Sequence, residues 1–118
     1  YAVTVSAGQN NVSSGAYASV LGGGSDNPDF GNHAYANYSA ILGGIYNRTG
    51  SNNTELDPDH TQGERSTISG GDTNIATGTS STVSGGVSNH ASGARSTVSG
   101  GENQDTNALN GYKSPGYP

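Results

Sequence analysis

The sequence has no cysteine, few charged residues and few large apolar ones. Without cysteine the chain can form neither disulfides nor thiolate metal sites. Only four residues are lysine or arginine and the net charge is −5, which argues against a nucleic acid partner. No apolar run approaches the length of a membrane span. We therefore expect no signal peptide and no direct membrane contact by this segment.

The low apolar content does not by itself indicate disorder. Leucine, isoleucine, valine and phenylalanine together account for 16 of 118 residues. Disordered chains combine such a composition with high charge, whereas only 11% of the residues here are charged. Glycine is the commonest residue, with 20 copies, but it lacks the three-residue period of collagen. The composition favours a folded, extracellular structural module.

What the sequence does contain is a repeat. The phrase Ser-Thr-Val-Ser-Gly-Gly at residues 81–86 returns at residues 96–101. Its apolar residue marks six coils, spaced by 15, 21, 27, 15 and 15 residues. We predict that these six residues form the core: Val5, Val20, Ile41, Ile68, Val83 and Val98.

A period of 15 residues fits a parallel β-solenoid. Helical repeats need about 30 residues or more, whereas two short strands and two turns fit within this length. Alternation along a strand then turns Val83 inward and Thr82 and Ser84 outward. The sequence predicts an all-β chain of about six coils with a thin core.

A second phrase, in which Asn or Asp precedes small residues and Gly, follows each first phrase. Aligning both phrases makes residues 1–114 one repeat domain, with insertions at 24–31, 45–58 and 102–106, followed by a tail at 115–118. This alignment places every insertion on the same edge of the solenoid. Grouped insertions on one edge often form a binding face, although corners also tolerate drift in length. The predicted receptor contacts are Asp26, Asn27, Phe30, Tyr46, Asn53, Glu55 and Asp57.

The thin core favours a shared interior. Each coil contributes one large aliphatic side chain, which offsets only part of the conformational entropy lost when the coil is ordered. Leu21 and Leu42 follow Val20 and Ile41, so alternation points them outward. We therefore predict that several copies of the chain associate, with Leu21 and Leu42 at the interface.

The repeated run Ser-Thr-Val-Ser-Gly-Gly-x-x-Asn-x-Ala-x-Gly resembles the head repeats of trimeric autotransporter adhesins, the YadA-like family, over residues 3–114. The resemblance implies a left-handed parallel β-roll, a homotrimer, and display on a bacterial cell surface through an outer-membrane anchor elsewhere. It also implies attachment to host matrix protein, glycan or abiotic surfaces. Collagen-binding heads carry a Ser-Val-Ala-Ile-Gly phrase. This chain has Ser19-Val20-Leu21-Gly22-Gly23 instead, so collagen binding does not carry over.

We expect an adhesin head and not an enzyme, because the serines belong to the repeat and no phosphate loop or nucleophile elbow is present. The alternative is a structural spacer, or a phage tail-fibre-like receptor-binding segment, without adhesion of its own. An ice-binding threonine column at Thr67, Thr82 and Thr97 is a weaker hypothesis, because Ser19 and Ala40 interrupt it.

Two metal hypotheses remain from the sequence. His33, His60 and His90 share one repeat position in this alignment, and such a column could titrate or bind a metal. Acidic residues in the insertions could also bind Ca²⁺. The candidate ligands are Asp57, Asp59 and His60. We favour solvated turn residues over either site and expect no cofactor.

Overall fold

The computed structural model describes residues 2–51 and 58–114. Within these ranges the chain forms thirteen two-residue strands and one 3₁₀ helix, Pro28–Phe30. No helix in this part of the chain is long and apolar enough to cross a membrane. The strands are β1 (Thr4–Val5), β2 (Val12–Ser13), β3 (Ser19–Val20), β4 (His33–Ala34), β5 (Ala40–Ile41), β6 (Arg48–Thr49), β7 (Thr67–Ile68), β8 (Ile75–Ala76), β9 (Thr82–Val83), β10 (His90–Ala91), β11 (Thr97–Val98), β12 (Asp105–Thr106) and β13 (Tyr112–Lys113).

The strands stack into two parallel sheets. The first sheet has the order β1-β3-β5-β7-β9-β11-β13, and the second has the order β12-β10-β8-β6-β4-β2. Each coil contributes one strand to each sheet, and equivalent residues of successive coils pair directly, as in Ile68 with Val83. The predicted all-β solenoid of stacked coils is confirmed. The described residues form six coils and the first strand of a seventh.

The core consists of a column of branched side chains from the first sheet that faces small side chains from the second. Five of the six predicted core residues are fully buried: Val20, Ile41, Ile68, Val83 and Val98. The prediction is wrong for Val5, which is 47% exposed. Val5 pairs in register with Val20, but no described coil covers its other side. It occupies the core column and yet remains open to solvent.

A ladder of buried asparagines closes one turn of every central coil. These residues are Asn32, Asn47, Asn74 and Asn89. The Nδ2 group of Asn74 donates to the carbonyls of Gly70 and Gly86, each at 3.0 Å. Its Oδ1 atom accepts from the backbone N–H of Asn89 at 3.0 Å. The side-chain amide therefore bonds within its own turn and to the next coil.

The glycines beside this ladder are required by space as well as by conformation. Gly44 has a φ of +86°, and a Cβ atom there would lie 2.2 Å from the carbonyl oxygen of Gly71. Gly86 has a φ of +89°, with the carbonyl oxygen of Gly101 equally close at 2.2 Å. Adjacent coils approach too closely at this corner for any side chain.

The ladder corrects the predicted position of the insertion in coil three. Strand β6, Arg48–Thr49, lies inside the predicted insertion 45–58 and pairs with β4 and β8. Asn47 supplies the ladder amide, and the extra residues lie after it, between Gly50 and Gly63. Asp59 cannot fill this position because a carboxylate has no N–H group to donate.

The insertion predicted at residues 102–106 is also wrong. Strand β12, Asp105–Thr106, pairs in register with β10, so coil six has the ordinary length. Gln104 replaces the ladder asparagine, and its backbone N–H donates to Oδ1 of Asn89 at 2.9 Å. The prediction that the insertions share one edge is also wrong. The first remaining insertion lies between β3 and β4 and the second lies between β6 and β7, at opposite edges of the solenoid.

Candidate functional site

The insertion in coil two is fixed at both ends. Nδ2 of Asn10 donates to the carbonyl of Ser25 at 2.7 Å, which ties the insertion to coil one. The backbone N–H of Tyr46 donates to the carbonyl of Phe30 at 3.0 Å, which ties it to coil three. The rings of Phe30 and Tyr46 then meet edge to face, with centroids 5.3 Å apart. These contacts hold the insertion against the edge of the second sheet.

A cleft of about 390 Å³ lies between this insertion and the outer face of the second sheet. We call it the coil-two cleft. Its volume falls within the range of small-ligand sites. The residues that line it are Pro28, Asp29, Gly31, His33, Tyr35, Tyr46, Asn47, Arg48, Thr73 and Ile75.

The floor of the cleft consists of outward positions on three neighbouring strands. His33 pairs in register with Arg48, and Arg48 pairs with Ile75. Adjacent strands are about 4.8 Å apart. From one strand to the next, the floor therefore presents an imidazole, a guanidinium and an aliphatic side chain.

His33 and Tyr35 form a linked pair on one wall. The Tyr35 hydroxyl lies 2.8 Å from Nδ1 of His33, and the two rings meet edge to face at 5.2 Å. Burial lowers the pKa of His33 below its ordinary value of 6.5, and the positive charge of Arg48 lowers it further. The imidazole is therefore neutral at neutral pH.

The Tyr35 hydroxyl is also protonated at neutral pH. Burial raises its pKa above the ordinary value, an effect that Arg48 opposes and Tyr46 reinforces. Tyr35, Tyr46 and Arg48 line the same cleft. The pair of His33 and Tyr35 supplies polar atoms to the cleft without adding charge.

Arg48 is the only lysine or arginine among the residues that line the cleft. The structure gives it no ion pair within residues 2–51 and 58–114. Its Nε atom is buried and has no hydrogen-bond partner. A buried donor without a partner costs free energy, and a ligand acceptor can supply the missing bond. The cleft thus combines an unpaired cation, neutral hydrogen-bonding groups and an aromatic edge, which suits recognition of an anionic or hydroxylated ligand.

The structure brings together only some of the predicted contact residues. Phe30 and Tyr46 touch each other, as described above, and Tyr46 lines the cleft. Asp26 and Asn27 lie exposed on the same insertion, where Oδ1 of Asn27 accepts from the backbone N–H of Asp29 at 3.0 Å. The remaining predicted contacts, Asn53, Glu55 and Asp57, lie outside the described residues.

Sequence reasoning missed Tyr35 and Arg48 as site residues. The spacing Gly-Gly-x-x-Asn recurs at residues 43–47, 70–74 and 85–89. Aligning the chain by that spacing places Arg48 beside His33. This signal was present in the sequence but was masked by the similar phrase at residues 59–63.

The histidine column and the metal candidates are not supported by the geometry. His33 and His90 occupy equivalent outward positions, but Arg48 takes the position predicted for His60. Asp59 and His60 instead border a separate groove beside Ser14 and Asn37. Asp57 lies outside the described residues. The part of the chain that the structure describes holds no group of three potential metal-ligating side chains.

The predicted interface leucines are neighbours on the outer side of the first sheet. Leu21 donates its backbone N–H to the carbonyl of Ile41, the residue before Leu42. Their side chains are 47% and 48% exposed. Two large apolar side chains therefore form a continuous exposed pair on adjacent coils.

No protein-family model matches the chain, and no curated protein is significantly similar to it. The likeness to trimeric autotransporter heads rests on the repeat phrase alone.

Proposed function

We propose that the chain is the head of a cell-surface adhesin, which attaches its carrier to host matrix protein, glycan or abiotic surfaces. The left-handed winding, the homotrimer and the display outside a bacterial cell are taken from the resemblance of the repeat phrase to adhesin heads. The binding role is supported by one observation: an anchored insertion borders a cleft whose central cation has no ion pair among the described residues and whose buried Nε atom has no hydrogen-bond partner there.

The anchoring of the insertion supports recognition by a preformed site. The contacts of Asn10 with Ser25 and of Tyr46 with Phe30 fix both ends of the loop before any ligand arrives. Preorganisation reduces the entropy that binding must offset. An insertion anchored in this way favours a receptor-binding role over a corner that merely tolerates extra residues.

Trimerisation would strengthen weak contacts. The exposed pair Leu21 and Leu42 gives each chain an apolar surface that a second copy can cover. Three copies of one cleft on a single particle gain avidity when their geometry allows simultaneous engagement. We propose that this is how a small cleft supports attachment to a surface.

A spacer role is the second candidate for the later coils. From β7 to β13 every coil keeps the ordinary 15-residue length and carries no insertion. A regular solenoid of this kind extends a binding site away from its anchor. Under this alternative the whole chain would be a spacer, bacterial or phage, and the cleft would bind nothing.

A matched deletion separates the two candidates. Removing residues 25–30 leaves Gly22-Gly23-Gly24-Gly31-Asn32, which restores the Gly-Gly-x-x-Asn spacing found in the regular coils. The intact chain and this variant are compared on arrays of matrix proteins and glycans, and R65Q, at an exposed arginine that does not line the cleft, serves as the control.

The adhesin proposal predicts binding by the intact chain and by the control, and loss of binding in the 25–30 deletion at an unchanged melting temperature. Absence of any array ligand for the intact chain supports the spacer. If the folded deletion variant still binds, the coil-two cleft is not the receptor-binding site.

A further inference from the structure

We infer that the coil-two cleft binds a carboxylate-bearing sugar ring, with Arg48 pairing with the carboxylate. This inference rests on the binding function proposed above and specifies its ligand class. Three features of the cleft carry it: the unpaired guanidinium, the single positive charge, and the combination of aromatic edges with oxygen acceptors on the walls.

The unpaired guanidinium selects for an anion. Arg48 lies at the centre of the floor between His33 and Ile75, with its Nε buried and without a partner. A planar guanidinium presents its donors in a fork that matches the two oxygens of a carboxylate. Such a pair would complete the hydrogen bonding of a group that is partly withdrawn from water.

The charge balance favours a single negative charge. Arg48 is the only basic side chain of the lining that stays charged at neutral pH, because burial and Arg48 itself lower the pKa of His33. Asp29 also lines the cleft, and the chain as a whole carries a net charge of −5. A dianionic phosphate group would therefore be compensated more poorly here than a singly charged carboxylate that pairs with Arg48.

The remaining walls favour a sugar over an acidic peptide. Asp29 and Thr73 offer oxygen acceptors for hydroxyl groups, since the Thr73 hydroxyl donates to Asp72 at 2.7 Å and keeps its acceptor capacity. The Tyr35 and Tyr46 rings supply apolar surface and further hydroxyls. A second carboxylate on a peptide would meet Asp29 as a like charge. A sugar ring with one carboxylate and several hydroxyls can pair its carboxylate with Arg48 and donate its hydroxyls to Asp29 and Thr73.

The experiment titrates the intact chain with oligosaccharides that end in a uronic or sialic acid, and with the same oligosaccharides after reduction of the carboxyl to a hydroxymethyl group. Binding is followed by calorimetry and by backbone amide NMR shifts. We expect the acidic sugar to bind about tenfold or more tightly than its reduced form. The shifts should be centred on His33, Arg48 and Thr73. Equal affinity for the two forms overturns the inference.

Two arginine variants complete the test. R48Q should lose the preference for the acidic form, and R48K should keep only part of it, because an ammonium cannot form the bidentate pair. The matched control is R65Q, since Arg65 is exposed and already paired with Glu64 at 3.0 Å. Unchanged selectivity in R48Q contradicts the inference. If R48Q does not fold, R48K and the reduced sugar decide the outcome.

A peptide arm and the surface arrays separate this inference from the adhesin proposal. If a glutamate-rich peptide binds at the same residues and the acidic sugar does not, the acidic-sugar inference is wrong. The cleft is then a binding site for acidic peptides, and the proposed binding function stands. Array binding that depends on residues 25–30 but ignores the carboxylate supports the adhesin and rejects the acidic sugar. If the chain binds neither the acidic sugar nor any surface on the arrays, both the acidic-sugar site and the adhesin function are rejected.

Discussion

Asn47 and Asn74 are joined across neighbouring coils although 27 residues separate them: Oδ1 of Asn47 accepts a hydrogen bond from the backbone N–H of Asn74 at 3.0 Å. Asn74 makes the same 3.0 Å bond to Asn89, only 15 residues further on. The ladder therefore keeps one geometry while the chain between its members changes length. Each coil can carry an insertion without losing register.

The ladder predicts a large cost for an isosteric change. N74D keeps the shape and the acceptor, but it removes both donors to the Gly70 and Gly86 carbonyls and places a carboxylate beside them. We expect the free energy of unfolding to fall by about 3 kcal/mol, measured by urea denaturation at neutral pH. N107D, at an exposed position, serves as the control. Equal stability of N74D and wild type would show that the amide ladder does not hold the coils in register.

The glycine corner offers a matched pair of adjacent positions. An alanine at Gly44 would hold φ near +86° and place its Cβ 2.2 Å from the Gly71 carbonyl oxygen. At Gly43 a Cβ meets no atom within 4 Å. We expect G44A to lose at least about 2 kcal/mol of stability and G43A to change little, as read from denaturation midpoints. Similar losses in the two variants would contradict the close approach of coils at this corner.

The repeat predicted five of the six core residues and the register of the first sheet, because those depend on one branched residue in every coil. The insertion in coil three was misplaced because Asn47 and Asp59 both begin an acceptable phrase, although the Gly-Gly-x-x-Asn spacing marks only Asn47. The ladder's need for an N–H donor gives the physical reason why Asn47 fills the position. The cleft was harder still to predict. It depends on how the coil-two insertion folds back against Tyr46, which is a tertiary contact with no repeat signature.

The lowered pKa of His33 predicts that the folded chain loses stability in mild acid. Its pKa is lowered in the folded chain from an ordinary value of 6.5, so the unfolded chain takes up the proton first as the pH falls. The folded state therefore loses stability below about pH 6.5, and stability is independent of this group above it. We expect the melting temperature to drop between about pH 7.5 and about pH 5.5. The drop should be smaller in H33Q, and an equal drop in H33Q would assign the effect to other groups.

The exposed leucines predict where copies of the chain meet. The two residues changed in L21S/L42S are about half exposed in the single chain. In an assembly that covers them, the same change removes buried apolar surface. We expect the dissociation constant of the assembly to rise more than about tenfold, measured by light scattering across a dilution series. The matched control is L109S, at a leucine that is 61% exposed. Unchanged assembly in L21S/L42S would place the interface elsewhere.

Sedimentation equilibrium of the unmodified chain measures whether it assembles into a trimeric head that presents three clefts. We expect a single species of three times the 11.8 kDa chain mass, whose subunits unfold and dissociate together. A compact species of 11.8 kDa that melts cooperatively by itself would contradict it.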